Sequence, residues 1–437
     1  MTRRRLICVG VVAAVLAAAV GVGVAYRFRP VPTTSGPLRH DAYVWQRQWT
    51  PAVAAAVRDA PAAVQTLAVL YAELRLPAGE VEPAAADFGL LRAVGRPVAL
   101  VIRVTFPAGG ELPTDARSLE ALTALVAAGL REAAAHDVAV GEVQLDTDAP
   151  ERQLQRLTRW LAATRAGVAV AGARAAVGFT ALPSWLDRRA FGDLAAAADG
   201  YVLQVHGLTL PRRGDEPAVL CDPEAARAAV WRAARAAPGV PFRVALPTYS
   251  YLVTRTPEGK VADVIAEDAA AAAPGRVERV DTPAGDMAEL VQAWTAARPM
   301  NMTGVVWFRL PTTDDTLNWP AVTLAAVAAG RTPAPRLAAH VRAPEPALLE
   351  VDLVNEGDAP AALPRRVALQ LPRAPLAADA LAGFTLRRDE PTRLTLSPDH
   401  IPAWHTLPPG AALTIAWVRM TQPTPVTELT THVEANP

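Results

Sequence analysis

Asp146 and Asp148 stand two residues apart in the segment Gly141-Glu142-Val143-Gln144-Leu145-Asp146-Thr147-Asp148-Ala149-Pro150, where an apolar run stops and a proline opens a helical stretch. Side chains alternate across a strand, so Gln144, Asp146 and Asp148 share one face while Val143 and Leu145 share the other. A strand end that opens into a helix is where an α/β barrel puts its chemistry, and the candidate pair of carboxyls is Asp146 or Asp148 together with Glu73. The structural alternative is a helix cap, with Asp148 two residues ahead of Pro150. Capping accounts for one aspartate and leaves the other.

Such acids need a scaffold that ends several strands in one place. Eight times the chain runs a short apolar stretch into polar or aromatic residues and then an Ala-rich helical stretch. The runs are Tyr43 to Trp49, Gln65 to Glu73, Pro97 to Thr105, Val140 to Asp148, Ala176 to Leu182, Gly200 to His206, Phe242 to Tyr249 and Gly304 to Leu310. Strands separated by helices form parallel βαβ units, and eight of them predict an α/β fold, a (β/α)8 TIM-like barrel over 41–331. An open doubly wound sheet is the alternative. Apolar stripes at helical spacing, Leu119, Leu122, Val126 and Leu130 in one stretch and Leu154, Leu157, Trp160 and Leu161 in the next, are core faces. An insert at 252–285 follows the seventh run, a position that forms cleft walls in barrels.

In a barrel the working residues converge from the C-terminal ends of different strands. The predicted catalytic set is Asp146, Asp148, Glu73 and His206, with His206 as a proton-transfer group. The predicted substrate-binding set is Trp45, Gln46, Tyr71, Arg103, Trp185, Gln204, Tyr249, Trp307 and Arg309, and Trp49 and Thr180 complete the rim. Aromatic rings beside carboxylates suit carbohydrate, because sugar C–H faces stack on rings while hydroxyls bond to Asp, Gln and Arg. Each has a bland counterpart. Glu73 and Arg103 can close the barrel top as an ion pair, Trp185 can cap it, and His206 can be a hydrogen-bonded core residue. Neither His-x-x-x-His nor Cys-x-x-Cys spacing occurs, so no metal is expected, and the lack of a Gly-rich phosphate loop points to no cofactor. A Gly-x-Ser-x-Gly elbow is absent too.

Residues 1–29 read as a membrane signal: Arg3, Arg4 and Arg5, an uncharged run from Leu6 to Tyr26, then Arg27 and Arg29. Its 21 residues are long enough to cross a bilayer core, and the basic start orients the rest outward. An uncleaved inner-membrane anchor with extracytoplasmic (periplasmic) domains is the reading; secretion after cleavage is the alternative. Cys8 lies in that run and Cys221 stands alone beyond it, so the exported part forms no internal disulfide. Forty-three basic residues balance forty-three acidic ones, which gives no field for nucleic acid. A linker spans 30–40. Another, 332–345, precedes a stretch of alternating strands at 346–437, predicted as a small β-sandwich.

Five pieces, Tyr43 to Trp49, Val143 to Pro150, Thr180 to Leu186, Tyr201 to Gly207 and Pro241 to Tyr249, resemble the bacterial family of unknown function 3142. That family supplies no activity. More distantly, the alternating acids at the end of the fourth strand are similar to glycoside hydrolase barrels of the family 18 type. Asp146 and Asp148 match the two Asp before the acid of that family, but Pro150 stands at the next position and Glu151 is out of phase. The resemblance implies a glycoside hydrolase-like protein acting on a cell-envelope or extracellular polysaccharide. A non-catalytic, membrane-anchored carbohydrate-binding barrel is the alternative.

Overall fold

A computed structural model describes residues 30–210, 218–266, 276–399, 401 and 405–435. The expected membrane run, residues 1–29, lies outside the described residues; among these, no helix is long and apolar enough to cross a membrane.

Eight parallel strands form a closed ring: β1 (Arg39–Val44), β2 (Val64–Arg75), β3 (Val98–Thr105), β4 (Val140–Asp146), β5 (Ala176–Ala181), β6 (Gly200–Gln204), β7 (Phe242–Pro247) and β8 (Met302–Phe308). Closure is made by β1, which pairs with β2 on one side and β8 on the other. Each strand is followed by a helix: α1 (Pro51–Arg58), α2 (Phe88–Val94), α3 (Ala116–Ala135), α4 (Leu154–Val170), α5 (Arg189–Ala196), α6 (Pro223–Ala236), α7 (Ala284–Ala296) and α8 (Ala321–Ala328). This is the (β/α)8 barrel, and the open-sheet alternative is excluded.

Alternation along the strands builds two cores. Outward residues such as Val69, Val143, Leu145, Val244 and Trp307 pack against the helices in one large cluster. Inward residues, with Tyr43, Ala68, Leu70, Ala99, Val101, Val202, Ala245 and Val306 among them, fill the barrel itself. The alanines leave room for the larger rings above them. Thr50, Asp87, Asp115 and Asp222 cap α1, α2, α3 and α6 through their side chains. By contrast the turn leading into α4 starts at Pro150 with no side-chain cap, so neither Asp146 nor Asp148 serves as one.

The floor of the barrel is ionic. Arg243 on β7 reaches Asp41 on β1 at 2.8 Å and Glu142 on β4 at 2.6 Å, and Arg39 joins Asp41 at 3.0 Å. Asp41 also accepts the Thr66 backbone N–H at 3.1 Å. The first strand therefore begins at Arg39, four residues before the expected Tyr43, because charges that read as linker are satisfied inside the barrel.

After β7, Tyr251–Arg255, Val261–Ile265 and Arg276–Val280 make a three-stranded antiparallel sheet that begins one residue before the expected insert. Beyond α8, two four-stranded antiparallel sheets share a core that includes Leu349, Val351, Val367, Leu369, Leu394, Leu396 and Ile415. Leu337–Glu345, in the stretch expected as linker, pairs with Leu348–Asn355 as a strand of the first sheet. Asp358 pins this module to the barrel by accepting from Arg331 at 2.7 Å and from the Ala334 N–H at 2.8 Å, while its carbonyl takes the Thr323 hydroxyl at 2.7 Å.

Removing one partner of a buried ion pair strands the other charge. Arg243→Ala is expected to lower the unfolding free energy by about 3–5 kcal/mol in a urea titration. A loss below about 1 kcal/mol would show that the floor network contributes little.

Candidate functional site

Going up β4, Gln144 sits deepest and accepts the Tyr43 hydroxyl at 2.8 Å. One inward position higher, Asp146 is 6% exposed and accepts the Thr180 hydroxyl at 2.7 Å. Asp148 follows where the strand has ended, and its side chain is 60% exposed. Arg103, beside Asp146 in the β3–β4 register, faces both acids, with Nη1 3.9 Å from Asp146 and Nη2 4.0 Å from Asp148. Its guanidinium also lies over the Trp45 ring, 5.6 Å from the centroid.

Burial pushes the Asp146 carboxyl up to about 6, and the neighbouring Asp148 charge adds to the effect against the opposing pull of Arg103 and the Thr180 hydroxyl. Asp146 is thus a carboxyl able to hold its proton near neutral pH, two residues from an acid in open water. Environments that drive two acids apart are what separates a proton donor from an ionised partner.

The facing wall comes from β6, β7 and β8. His206 stacks on Phe308 with centroids 5.3 Å apart and meets the edge of Tyr249. The Tyr249 hydroxyl lies 3.5 Å from His206 Nδ1 and 3.4 Å from the Tyr251 hydroxyl. Burial lowers His206 to about 3, so it is a neutral imidazole at working pH and not a cationic acid. Gln204 donates to the His206 carbonyl at 3.3 Å. Together these residues enclose a pocket of about 180 Å³ at the C-terminal mouth of the barrel, reached by Trp45, Arg103, Asp146, Asp148, Gln204, His206 and Tyr249 of the expected set. A broader depression of about 620 Å³ adjoins it through Asp148 and runs over Pro150, Arg152, Ser184 and Arg188.

Six residues of the expected catalytic and substrate-binding sets are placed elsewhere, and Trp49 of the expected rim packs against the helix-layer core. Glu73, 6% exposed, is held by Arg47 at 2.6 Å, Arg75 at 3.3 Å and the Thr105 hydroxyl at 3.1 Å, so the expected pairing with Arg103 is replaced by pairings to Arg47 and Arg75. Burial favours its protonated form, but those donors outweigh it and keep the carboxyl below its ordinary range. Tyr71 points into the helix layer, where its hydroxyl donates to Glu132 on α3 at 2.8 Å. A register shift between Leu70 and Ala72 breaks the alternation that had grouped Tyr71 with Glu73. Trp185 is fully buried and donates to the Ala149 carbonyl at 3.1 Å, bracing the loop that carries Asp148.

Trp307 is also fully buried, on the outward face of β8, with its indole N–H donating to His40 Nδ1 at 3.2 Å. The inward residue there is its neighbour Phe308. Arg309 binds Asp315 and lies 5.9 Å from the Tyr249 ring centroid, holding that tyrosine from behind rather than lining the pocket. Gln46 donates to the Leu310 carbonyl at 3.5 Å and does not line the pocket. Tyr43, Tyr251 and Phe308 line it without having been selected. Tyr43 was open to discovery, because it shares a face with Trp45 two positions on. Among the described residues no group of three or more His, Cys, Asp or Glu could hold a metal ion.

A family model described as "Domain of unknown function (DUF3142)" matches residues 94–313, half of the chain and most of the pocket. The chain belongs to this family. Residues 338–421, in the C-terminal sheets of the DUF3142 protein, match a second model, "Domain of unknown function (DUF8456)". No curated protein matches the chain. Among solved structures, it is similar to a spore cortex-lytic enzyme, SleL, from Bacillus megaterium QM B1551: 14% identity, TM-score 0.46, 70% of this chain and 76% of that one. It is also similar to a chitinase from Chromobacterium violaceum ATCC 12472, at 15% identity and TM-score 0.44, covering 67% of this chain and 98% of that one. Chitinase ChiA74 from Bacillus thuringiensis gives 9% identity and TM-score 0.42 over 91% and 100%. Likenesses this low carry no information on substrate or reaction.

The state of Asp146 has a thermodynamic signature. Its carboxyl titrates near 3.8 in the open chain and near 6 in the fold, so the unfolded chain loses this proton first. The stability it contributes is intact below about pH 4, falls as pH rises towards 6, and is level above that. Asp146→Asn is therefore expected to gain on the order of 2–3 kcal/mol relative to the wild type between pH 4 and pH 7, read as the difference of two urea-unfolding series. A difference that does not vary with pH would mean that Asp146 titrates like an ordinary aspartate.

Proposed function

We propose that this protein is glycoside hydrolase-like and takes one sugar unit of a cell-envelope or extracellular polysaccharide into the barrel mouth. The observation that carries the reading is the pair of acids with opposed environments, buried Asp146 and open Asp148, on one wall of an otherwise aromatic pocket. A volume of about 180 Å³ is below the usual range for an extended ligand, which favours a single unit inside the mouth. Neighbouring units of the polymer would lie across the open depression beyond Asp148. In this proposal the N-terminal apolar run tethers the barrel to the membrane and leaves it on the extracytoplasmic side.

The chemistry is hydrolysis of a glycosidic bond. Asp146, which burial lets keep its proton up to about pH 6, gives that proton to the departing oxygen as the C–O bond breaks; the Asp148 carboxylate stabilises the positive charge that grows on the sugar ring. Water then adds its oxygen to the anomeric carbon and its proton restores Asp146. Arg103 keeps both carboxyls turned to the pocket.

A second reading, binding without turnover, is favoured by one feature of the facing wall. Among the described residues lining the pocket, that side holds His206, Tyr249 and Tyr251 and no carboxylate. Glu151 bonds to Arg188 at the outer depression, and Glu73 is locked by arginines. The two readings part on release of reducing sugar from envelope glycans. Hydrolysis predicts measurable release, with kcat/KM reduced roughly 10²- to 10⁴-fold by Asp146→Asn or Asp148→Asn. Glycan retained by the protein with no release supports the binding reading, and full activity in both variants would remove Asp146 and Asp148 from the mechanism.

A further inference from the structure

The rings around the mouth form one continuous wall. Tyr43 meets Trp45 edge-on at 5.6 Å, Trp45 meets Phe308 at 5.0 Å, Phe308 meets Tyr249 at 5.6 Å and Tyr249 meets Tyr251 at 5.2 Å. All five line the same small pocket as Asp146 and Asp148. Aromatic faces carry a negative quadrupole and attract cations, and several of them around a small space make a cage for an ammonium group. Two cations of this chain already use the wall: Arg103 lies over Trp45 and Arg309 over Tyr249.

The charges lining the pocket do not cancel. Above about pH 6, once Asp146 has given up its proton, two aspartates face one arginine, and His206, which burial holds neutral, adds no positive charge. Arg103 stands 3.9 and 4.0 Å from the two carboxylates, too far for a hydrogen bond, so it offsets one charge and satisfies neither acid. Asp148 keeps most of its surface open. An anionic unit such as a uronate would meet the excess carboxylate with the arginine already shared. A neutral unit could stack but would leave the excess charge unanswered.

We propose that the sugar unit admitted to the mouth carries a free ammonium group, as a de-N-acetylated amino sugar does, held between Asp148 and the aromatic wall. This deepens the carbohydrate reading above and rests on it. The test is isothermal titration calorimetry of the full chain with four β-1,4-linked disaccharides: of glucosamine, of N-acetylglucosamine, of glucose and of glucuronate. The glucosamine disaccharide is expected to bind roughly tenfold or more tighter than the others. Asp148→Asn and, as an independent variant away from the acids, Phe308→Leu should each shrink that preference. If the N-acetylated or glucose disaccharide binds as tightly as the amine, or Asp148→Asn keeps the full preference, the ammonium inference is wrong and the carbohydrate reading stands. If none of the four binds, both fall.

Discussion

Closing eight parallel strands into a ring forces alternate side chains towards one axis, and the buried Arg243 guanidinium ties that ring across its floor. It joins β7 to β1 and β4, elements that lie up to 202 residues apart in sequence. With the ring closed, the inward positions of β3 and β4 fall in register and Arg103 stands next to Asp146. The acids at the mouth owe their environment to this geometry. Asp146 is the last inward residue that the barrel still shields, and Asp148 is the first beyond it.

That one step along the chain separates two chemistries. Inside, the carboxyl keeps its proton towards neutral pH because leaving water costs the charged form more than Arg103 returns. Outside, Asp148 stands in open solvent. The mouth therefore presents a buried carboxyl and an open one from a single strand end, while the Glu73 charge is committed to Arg47 and Arg75. Trp185 contributes from behind: a buried indole gripping the Ala149 carbonyl fixes the loop on which Asp148 sits.

The barrel was legible because its signal is local. Apolar runs followed by Ala-rich helical stretches recur eight times, and each observed strand overlaps an expected run. Asp146 was legible for the same reason, since alternation within one strand needs no knowledge of its neighbours. Elsewhere the face of a residue depended on register. Tyr71 lies at a register shift in β2 and turns outward, and Trp307 faces the helices while Phe308 takes the inward place. Partners distant in sequence were not legible at all. Nothing near Glu73 announces Arg47, 26 residues away, and nothing in Arg39-His40-Asp41 announces a buried floor that Arg243 completes. Tyr251 enters the pocket from the strand that leads into the insert, whose path is a tertiary matter.

The central claim is that a sugar unit occupies the mouth against Asp146 and Asp148. Carboxyl ¹³C resonances of the aspartates and glutamates, followed by NMR while a soluble envelope-derived oligosaccharide is added, test it most directly. The account predicts that Asp146 and Asp148 shift together and saturably while Glu73 and Glu142 stay in place. Shifts confined to residues outside the mouth, or none at saturating oligosaccharide, would contradict it.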